Sequence, residues 1–250
     1  MSVLARLFLL SCILFSSLGA ECPPHLSSDA WEILQPYLLP ENHAAKKVLD
    51  QLFSSEKILN HAETLKKAKF KQVGQGHSKV KVLKHKKLKG YLIKAYTDDQ
   101  AEVREWEIWM KRIGGAIATR QAIEMHQLSH FFTVPKKWIY QVKRNGVSPE
   151  EKNFVLLVED MQIYGARSNF ILWNGSSFIT KEKLQALHLI TQEAGLSDSL
   201  FIDNIPFTKE EKIAFVDTEY FHKWPLNEAR LTSYLSKKMQ KHWLSIISKN

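Results

Sequence analysis

Residues 70–96, FKQVGQGHSKVKVLKHKKLKGYLIKAY, contain three short runs with the composition of β-strands. The runs cover residues 70–73, 79–83 and 91–96, and glycine-containing segments separate them. In the second run valines alternate with lysines, so one face of that strand is expected to be buried and the other to face water. The segment therefore predicts an antiparallel three-stranded meander.

Apolar residues on both sides of this meander recur mainly at helical spacing. Gly114 and Gly115 are expected to separate two helices, and Gly195 is expected to cap a helix in a left-handed conformation. Helices are expected within residues 29–68, at 98–113, from 113 to about 128, at 181–194 and at 226–247. Further strands are expected at 134–142, 154–158 and 213–216. This order of elements favours an α+β fold.

The composition is that of a globular protein, with 44% hydrophobic and 24% charged residues in a chain of 250. It excludes a wholly disordered chain and allows one large core or two small ones. The formal net charge of +9 suits an anionic partner such as a nucleotide, a nucleic acid or a membrane surface, but it also suits simple solubility.

The first twenty residues, MSVLARLFLLSCILFSSLGA, are expected to be a signal peptide. Arg6 precedes an uncharged run that ends in small residues and is shorter than the roughly 20 residues that a membrane span needs. An uncleaved membrane anchor is the alternative. Cleavage removes Cys12 and leaves only Cys22, so the mature chain would have no intramolecular disulfide. The expected location is outside the cytoplasm: periplasmic, secreted or delivered to a host.

The stretch KIAFVDTEYFH, residues 212–222, joins the pattern of a buried strand to two carboxylates, Asp217 and Glu219. Acidic residues at the end of such a strand often line a cleft that binds metals or phosphates, and a polar surface turn is the alternative. Upstream, Gly74 and Gly76 leave backbone N–H groups accessible to a phosphate. Lys94 lies in an apolar run, where its charge is costly unless it meets an anion or reaches water.

Four segments together resemble the protein-kinase-like superfamily. Asp217 lies thirteen positions after Asn204, which is the interval that the family uses. The similar segments are VGQGHSKV (73–80) for the glycine-rich loop, LIKAY (92–96) for the strand with the phosphate-anchoring lysine, VLLVEDM (155–161) for the hinge, and DNIPFTKEEKIAFVDTE (203–219) for the catalytic loop and the metal-binding aspartate.

The resemblance implies a two-lobed kinase-like fold with a short C-terminal lobe and with Lys94 and Asp217 facing one cleft. ATP and Mg²⁺ are the ligands that it implies, with Lys94 on the phosphates and Asn204 and Asp217 on the metal. The implied catalytic residues are Asp198 and Asn204. Further implied cofactor-binding residues are Gly74, Gly76, Glu159 in the hinge segment, and Glu124 as the partner of Lys94, with Glu105 as its alternative.

The chain departs from the family pattern at three positions. Ser199 stands five residues before Asn204, where the family has its catalytic aspartate, so either Asp198 is shifted into that place or the catalytic step is lost. The glycine-rich loop lacks its third glycine. Glu219 replaces the glycine of the family's Asp-Phe-Gly, which adds an acid near the metal position.

These features predict four parts of the chain and leave two functions open. The parts are a signal peptide (1–20), an N-terminal helical extension (21–68), a kinase-like N-lobe (69–160) and a compact C-lobe (161–250). One function is a pseudokinase, a binding or scaffolding module that binds nucleotide weakly or not at all. The other is an atypical phosphotransferase that acts on a hydroxyl group of a protein or a small molecule.

The remaining patterns exclude several other classes of function. The lysines of residues 79–89 lie in a hairpin without interleaved aromatic residues, so we do not expect nucleic-acid binding. The ten histidines show no metal-ligand spacing, and no nucleophile elbow occurs. The expected partners are a protein and a nucleotide, and no membrane span is expected once the signal peptide is removed.

The signal-peptide assignment predicts that the mature protein begins near residue 21. N-terminal sequencing of protein exported by its own host should recover a sequence that starts there, because the small residues before Glu21 fit a cleavage site. Recovery of Met1 or Ser2 at the N-terminus would show that the segment is retained.

Overall fold

The structure is a computed structural model that describes residues 21–55, 57–74, 79–144, 151–175, 177–197 and 199–248. The signal-peptide segment, Gly76 and Asp198 lie outside the described residues. The chain forms two compact units, the first made of Met1–Trp106 and Trp138–Leu157 and the second of Glu107–Lys137 and Val158–Asn250. Helices and mainly antiparallel strands make up these units, and this confirms the α+β class.

In the described part of the first unit, three short helices precede the sheet. They are α1 (Ser28–Leu34), α2 (Lys46–Leu52) and α3 (Ala62–Lys67). The Ser27 side chain caps α1 by accepting a hydrogen bond from the Ala30 backbone N–H at 3.2 Å. Their buried side chains, among them Leu49 and Leu65, share one apolar core with Leu83 and Ile93 of the sheet. The helical segment is therefore part of the first unit's core.

Seven strands follow in chain order. They are β1 (Lys71–Gln72), β2 (Lys81–Lys84), β3 (Tyr91–Ala95), β4 (Phe132–Thr133), β5 (Lys137–Gln141), β6 (Phe154–Glu159) and β7 (Ile213–Ala214). The larger sheet has the order β1-β2-β3-β6-β5, and β2 is antiparallel to both β1 and β3. The expected three-stranded meander is thus confirmed. Its register places Val82 opposite Lys94, so the two side chains share one face of the sheet.

The second unit packs helices around a short parallel pair of strands, β4 and β7. Its helices are α4 (Glu105–Met125, which begins at the end of the first unit), α5 (Ala166–Gly175), α6 (Lys181–Ala194) and α7 (Lys237–Ile247). The core contains fully buried Trp173, Trp243 and Phe215. The predicted helix at 181–194 is confirmed as α6, and Gly195 ends it in the left-handed conformation with φ of 60°.

The structure differs from the helix predictions at several points, among them the helix expected at 98–113, which begins only at Glu105. The break at Gly114 and Gly115 is wrong, because α4 runs through both glycines. The predicted helix at 226–247 is divided into a 3₁₀-helix, Glu228–Tyr234, and α7, because the chain is extended at Leu235 and Ser236. Helix α5 lies in a region that we expected to be mostly helical but to which we assigned no individual helix. A Cβ on Gly115 would lie 1.8 Å from the Thr218 backbone O. The glycine therefore allows the helix to pack closely against Thr218, and it does not end the helix.

Candidate functional site

A buried arginine joins helix α4 to the segment Asp217-Thr218-Glu219, which follows strand β7. Arg112 Nη1 lies 3.1 Å from Asp217 Oδ2. Arg112 Nε and Nη2 donate to Glu219 Oε2 at 3.0 and 2.8 Å. The residue is 7% exposed, and its guanidinium carbon lies 5.6 Å from the centre of the Trp109 ring. Both carboxylates of the segment are therefore held by one internal cation.

Thr218 connects the same two elements through backbone and side-chain hydrogen bonds. Its hydroxyl donates to the Arg112 carbonyl oxygen at 2.8 Å. Lys137 Nζ donates to the Thr218 hydroxyl oxygen at 2.9 Å and to the Arg112 carbonyl oxygen at 3.3 Å. Thr218 is 1% exposed, and Lys137 is also buried. The close approach at Gly115 allows these bonds to form.

The charges of this cluster sum to zero, with Asp217 and Glu219 against Arg112 and Lys137. Removing one partner of a fully buried ion pair destabilises a protein by about 3–5 kcal/mol, and the cost is smaller here because the Asp217 side chain is 28% exposed. A divalent cation that binds Asp217 must therefore displace or share the carboxylate of an existing buried pair. We call Arg112, Lys137, Asp217, Thr218 and Glu219 the arginine cluster.

Asn204 and Ser199 lie next to the arginine cluster. The Val216 backbone N–H donates to the Asn204 carbonyl oxygen at 3.0 Å, so Asn204 is paired with the residue just before Asp217. The Ser199 hydroxyl donates to the Asp217 carbonyl oxygen at 3.0 Å, and Ser199 is 2% exposed. The structure thus brings Ser199, Asn204 and Asp217 together in the second unit. Asp198 lies outside the described residues.

The other candidate residues of the second unit are Glu124 and Glu159. Glu124 is exposed on α4. Glu159, at the end of β6, accepts a hydrogen bond from the Lys136 backbone N–H through Oε2 at 2.9 Å. The Glu159 backbone N–H donates in turn to the Lys136 carbonyl oxygen at 3.0 Å. These bonds give the Glu159 carboxylate a structural role at the ends of two strands.

The candidate residues of the first unit are Gly74, Lys94 and Glu105. Gly74 has φ of 88°, a conformation that favours glycine. Lys94 is 8% exposed in β3. Glu105, at the start of α4, is buried and accepts hydrogen bonds from the Asn153 and Phe154 backbone N–H groups at 2.9 and 3.2 Å. Burial raises the pKa of the Glu105 carboxyl above its usual range.

Sequence reasoning missed Arg112 and Lys137. Arg112 lies beside the apolar stripe of α4, three residues after Trp109, and a charged residue at such a position is a signal of a buried ion pair. Its partners are more than 100 residues away along the chain, so no local pattern could identify them.

Comparisons with known proteins give no further assignment, since neither a protein-family model nor a curated protein matches this chain. Over the described residues, no helix has the length and apolar character needed to cross a membrane. The same described part of the chain contains no group of three or more His, Cys, Asp or Glu side chains arranged to hold a metal ion.

The contact between Gly115 and Thr218 predicts a large effect of adding one methyl group. We expect Gly115→Ala to lower the stability of the second unit by at least about 1–3 kcal/mol, because the new Cβ would overlap the Thr218 carbonyl oxygen. Gly175→Ala is the matched control, since its Cβ would meet nothing within 4 Å. Chemical denaturation measures both variants. Equal stabilities would contradict the close packing of α4 against Thr218.

Proposed function

We propose that this protein is an exported pseudokinase, a kinase-like domain that acts as a binding or scaffolding module for a protein partner and binds nucleotide weakly or not at all. The single observation that carries the proposal is the ion pair between Arg112 and Asp217, at 3.1 Å. It places an internal cation on the carboxylate to which the family resemblance assigns the metal.

The order of elements supports the kinase-like part of the proposal. Protein kinases carry the phosphate-anchoring lysine on their third strand, and its glutamate partner lies on the helix that follows. Here Lys94 is buried in β3, and the next element, α4, carries both Glu105 and Glu124. The pairing of Asn204 with Val216 also agrees with a shared role for Asn204 and Asp217.

The charge balance of the arginine cluster supports weak metal and nucleotide binding. Mg²⁺ needs oxygen ligands that are free to coordinate it, and it gives up its own water reluctantly. At Asp217 the ion would also have to compete with the buried guanidinium of Arg112 for the carboxylate. Glu219 is engaged by the same cation, because its Oε2 accepts two hydrogen bonds from Arg112.

The residue at position 199 supports a loss of catalysis. A serine hydroxyl does not accept a proton at neutral pH as a carboxylate does, and here the hydroxyl donates to the Asp217 carbonyl oxygen. Loss of a positioned general base removes about 10²- to 10⁴-fold in rate. This loss leaves nucleotide affinity unchanged, so binding and turnover are separate questions.

An atypical phosphotransferase is the second candidate function. The proximity of Asn204 to the Asp217 segment favours it, because these two residues are the metal ligands of the family. In that case Asp198 takes the role of the catalytic aspartate, and ATP with Mg²⁺ is the cosubstrate. The substrate would be a hydroxyl group on a protein or a small molecule.

A nucleotide-binding and phosphate-transfer assay distinguishes the two functions. We expect ATP with Mg²⁺ or Mn²⁺ to shift the thermal unfolding temperature of the wild type slightly or not at all, and γ-phosphate transfer to remain at background. Asp217→Ala and Asp198→Ala should leave this result unchanged. Rapid turnover that either substitution abolishes would refute the pseudokinase and establish the enzyme.

A further inference from the structure

The positive charge of this protein is concentrated in one short segment. Residues 66–89 contain ten lysines and no aspartate, glutamate or arginine, so the segment carries +10. The whole chain carries +9, which leaves −1 for all other residues together. Charge that serves solubility alone is normally spread over a surface with both signs interspersed. The distribution here instead makes this segment far more basic than the rest of the chain taken together.

The fold collects eight of these lysines at one end of the first unit's sheet. They come from four places in the chain: the end of α3, the start of β1, the end of β2 and the turn between β2 and β3. The antiparallel pairing of β1 with β2 and of β2 with β3 brings these places to the same end of the sheet. All eight are exposed. We call them the basic surface: Lys66, Lys67, Lys69, Lys71, Lys84, Lys86, Lys87 and Lys89.

Two details show that these lysines lie close together. Lys71 and Lys84 are direct partners in the register of β1 and β2, a placement of like charges that weakens a strand pair. The pKa of His85 is lowered mainly by burial, and the positive charges of Lys87, Lys86 and Lys69 lower it further. Lysines from two separate segments thus act on one imidazole ring. Strand pairing is maintained in spite of this repulsion.

Along the chain, residues 66–89 contain no acidic residue, and one acidic residue lies shortly before them. Glu63, the nearest acid before the segment, lies 3.9 Å from Lys66, and both side chains are largely exposed. Such an exposed pair neutralises its charges only weakly. The basic surface therefore keeps a strong positive potential, which attracts anionic surfaces.

The chemistry of the basic surface selects one kind of anionic partner. It has no arginine, whose planar fork reads guanine, and the described part of residues 57–96 presents no exposed Phe, Tyr or Trp side chain on which a base could stack. Its apolar residues, such as Leu88, are buried in the core. Lysine ammonium groups can bind a densely negative surface through charge alone. Because no large apolar side chain is exposed among the described residues of this segment, no part of the basic surface would insert into a lipid bilayer.

We propose that the basic surface docks this protein on an anionic lipid bilayer by charge alone. The contact uses lysine ammonium groups and phospholipid headgroups, and no side chain enters the hydrocarbon region. It does not depend on nucleotide binding or on the kinase-like assignment. Because the Debye length falls to about 3 Å at 1 M salt, added salt releases the protein.

Vesicle co-sedimentation tests this docking with a charge-matched control. The test variant is Lys86→Glu/Lys87→Glu/Lys89→Glu, which changes exposed residues of the β2–β3 turn. The control is Lys237→Glu/Lys238→Glu/Lys241→Glu, which makes the same change of charge at exposed residues of α7 in the second unit. Circular dichroism and thermal unfolding verify that both variants fold. Vesicles of phosphatidylcholine, with and without phosphatidylserine, are the probes.

We expect the wild type to bind only the vesicles that contain phosphatidylserine, and to be released by salt. The test variant should bind them about 100-fold more weakly or worse, since each lysine near an anionic membrane contributes roughly a factor of five. The control should lose much less. Equal binding to both vesicle types, equal losses in the two variants, or binding to duplex DNA without binding to vesicles would overturn the proposal.

Discussion

A guanidinium group buried at Arg112 must be neutralised inside the protein, and this constraint organises the centre of the second unit. Burying an unpaired charge is far more costly than burying a hydrogen-bonded pair. The carboxylates of Asp217 and Glu219 both pair with the guanidinium, and the Trp109 ring lies next to it. The segment after β7 and helix α4 are thereby held in one arrangement.

The same constraint explains local features that otherwise look unrelated. Helix α4 tolerates Gly114 and Gly115 in its interior because the chain around Thr218 comes too close for a side chain at position 115. Lys137, buried at the start of β5, finds its partners in the Thr218 hydroxyl and the Arg112 carbonyl oxygen. The functional consequence of the constraint is that the Asp217 carboxylate already has a cation.

Local sequence signals predicted the elements that depend on local chemistry. Helix α6 has a capping threonine, an amphipathic body and a terminal glycine, and its bounds were predicted without error. The meander was predicted from alternation, although β1 is shorter than the run that indicated it. Gly115 misled the prediction because a glycine that ends a helix and one that permits close packing look the same in a sequence. Arg112 was missed because its partners are distant along the chain.

We expect Arg112 to prevent Asp217 from binding a metal ion, and a titration with Mn²⁺ tests this expectation most directly. Calorimetry would compare the wild type with Arg112→Gln, and with Arg120→Gln as a control on the same helix. Asp217→Asn, which is nearly isosteric, provides a second comparison in case Arg112→Gln does not fold.

We expect Arg112→Gln to bind Mn²⁺ at least about tenfold more tightly than the wild type and Arg120→Gln, because its carboxylates are released from a buried pair. The wild type and Asp217→Asn should bind equally weakly. Tight binding of Mn²⁺ by the wild type that Asp217→Asn abolishes would contradict the account, because it would show that Asp217 is a working metal ligand despite Arg112.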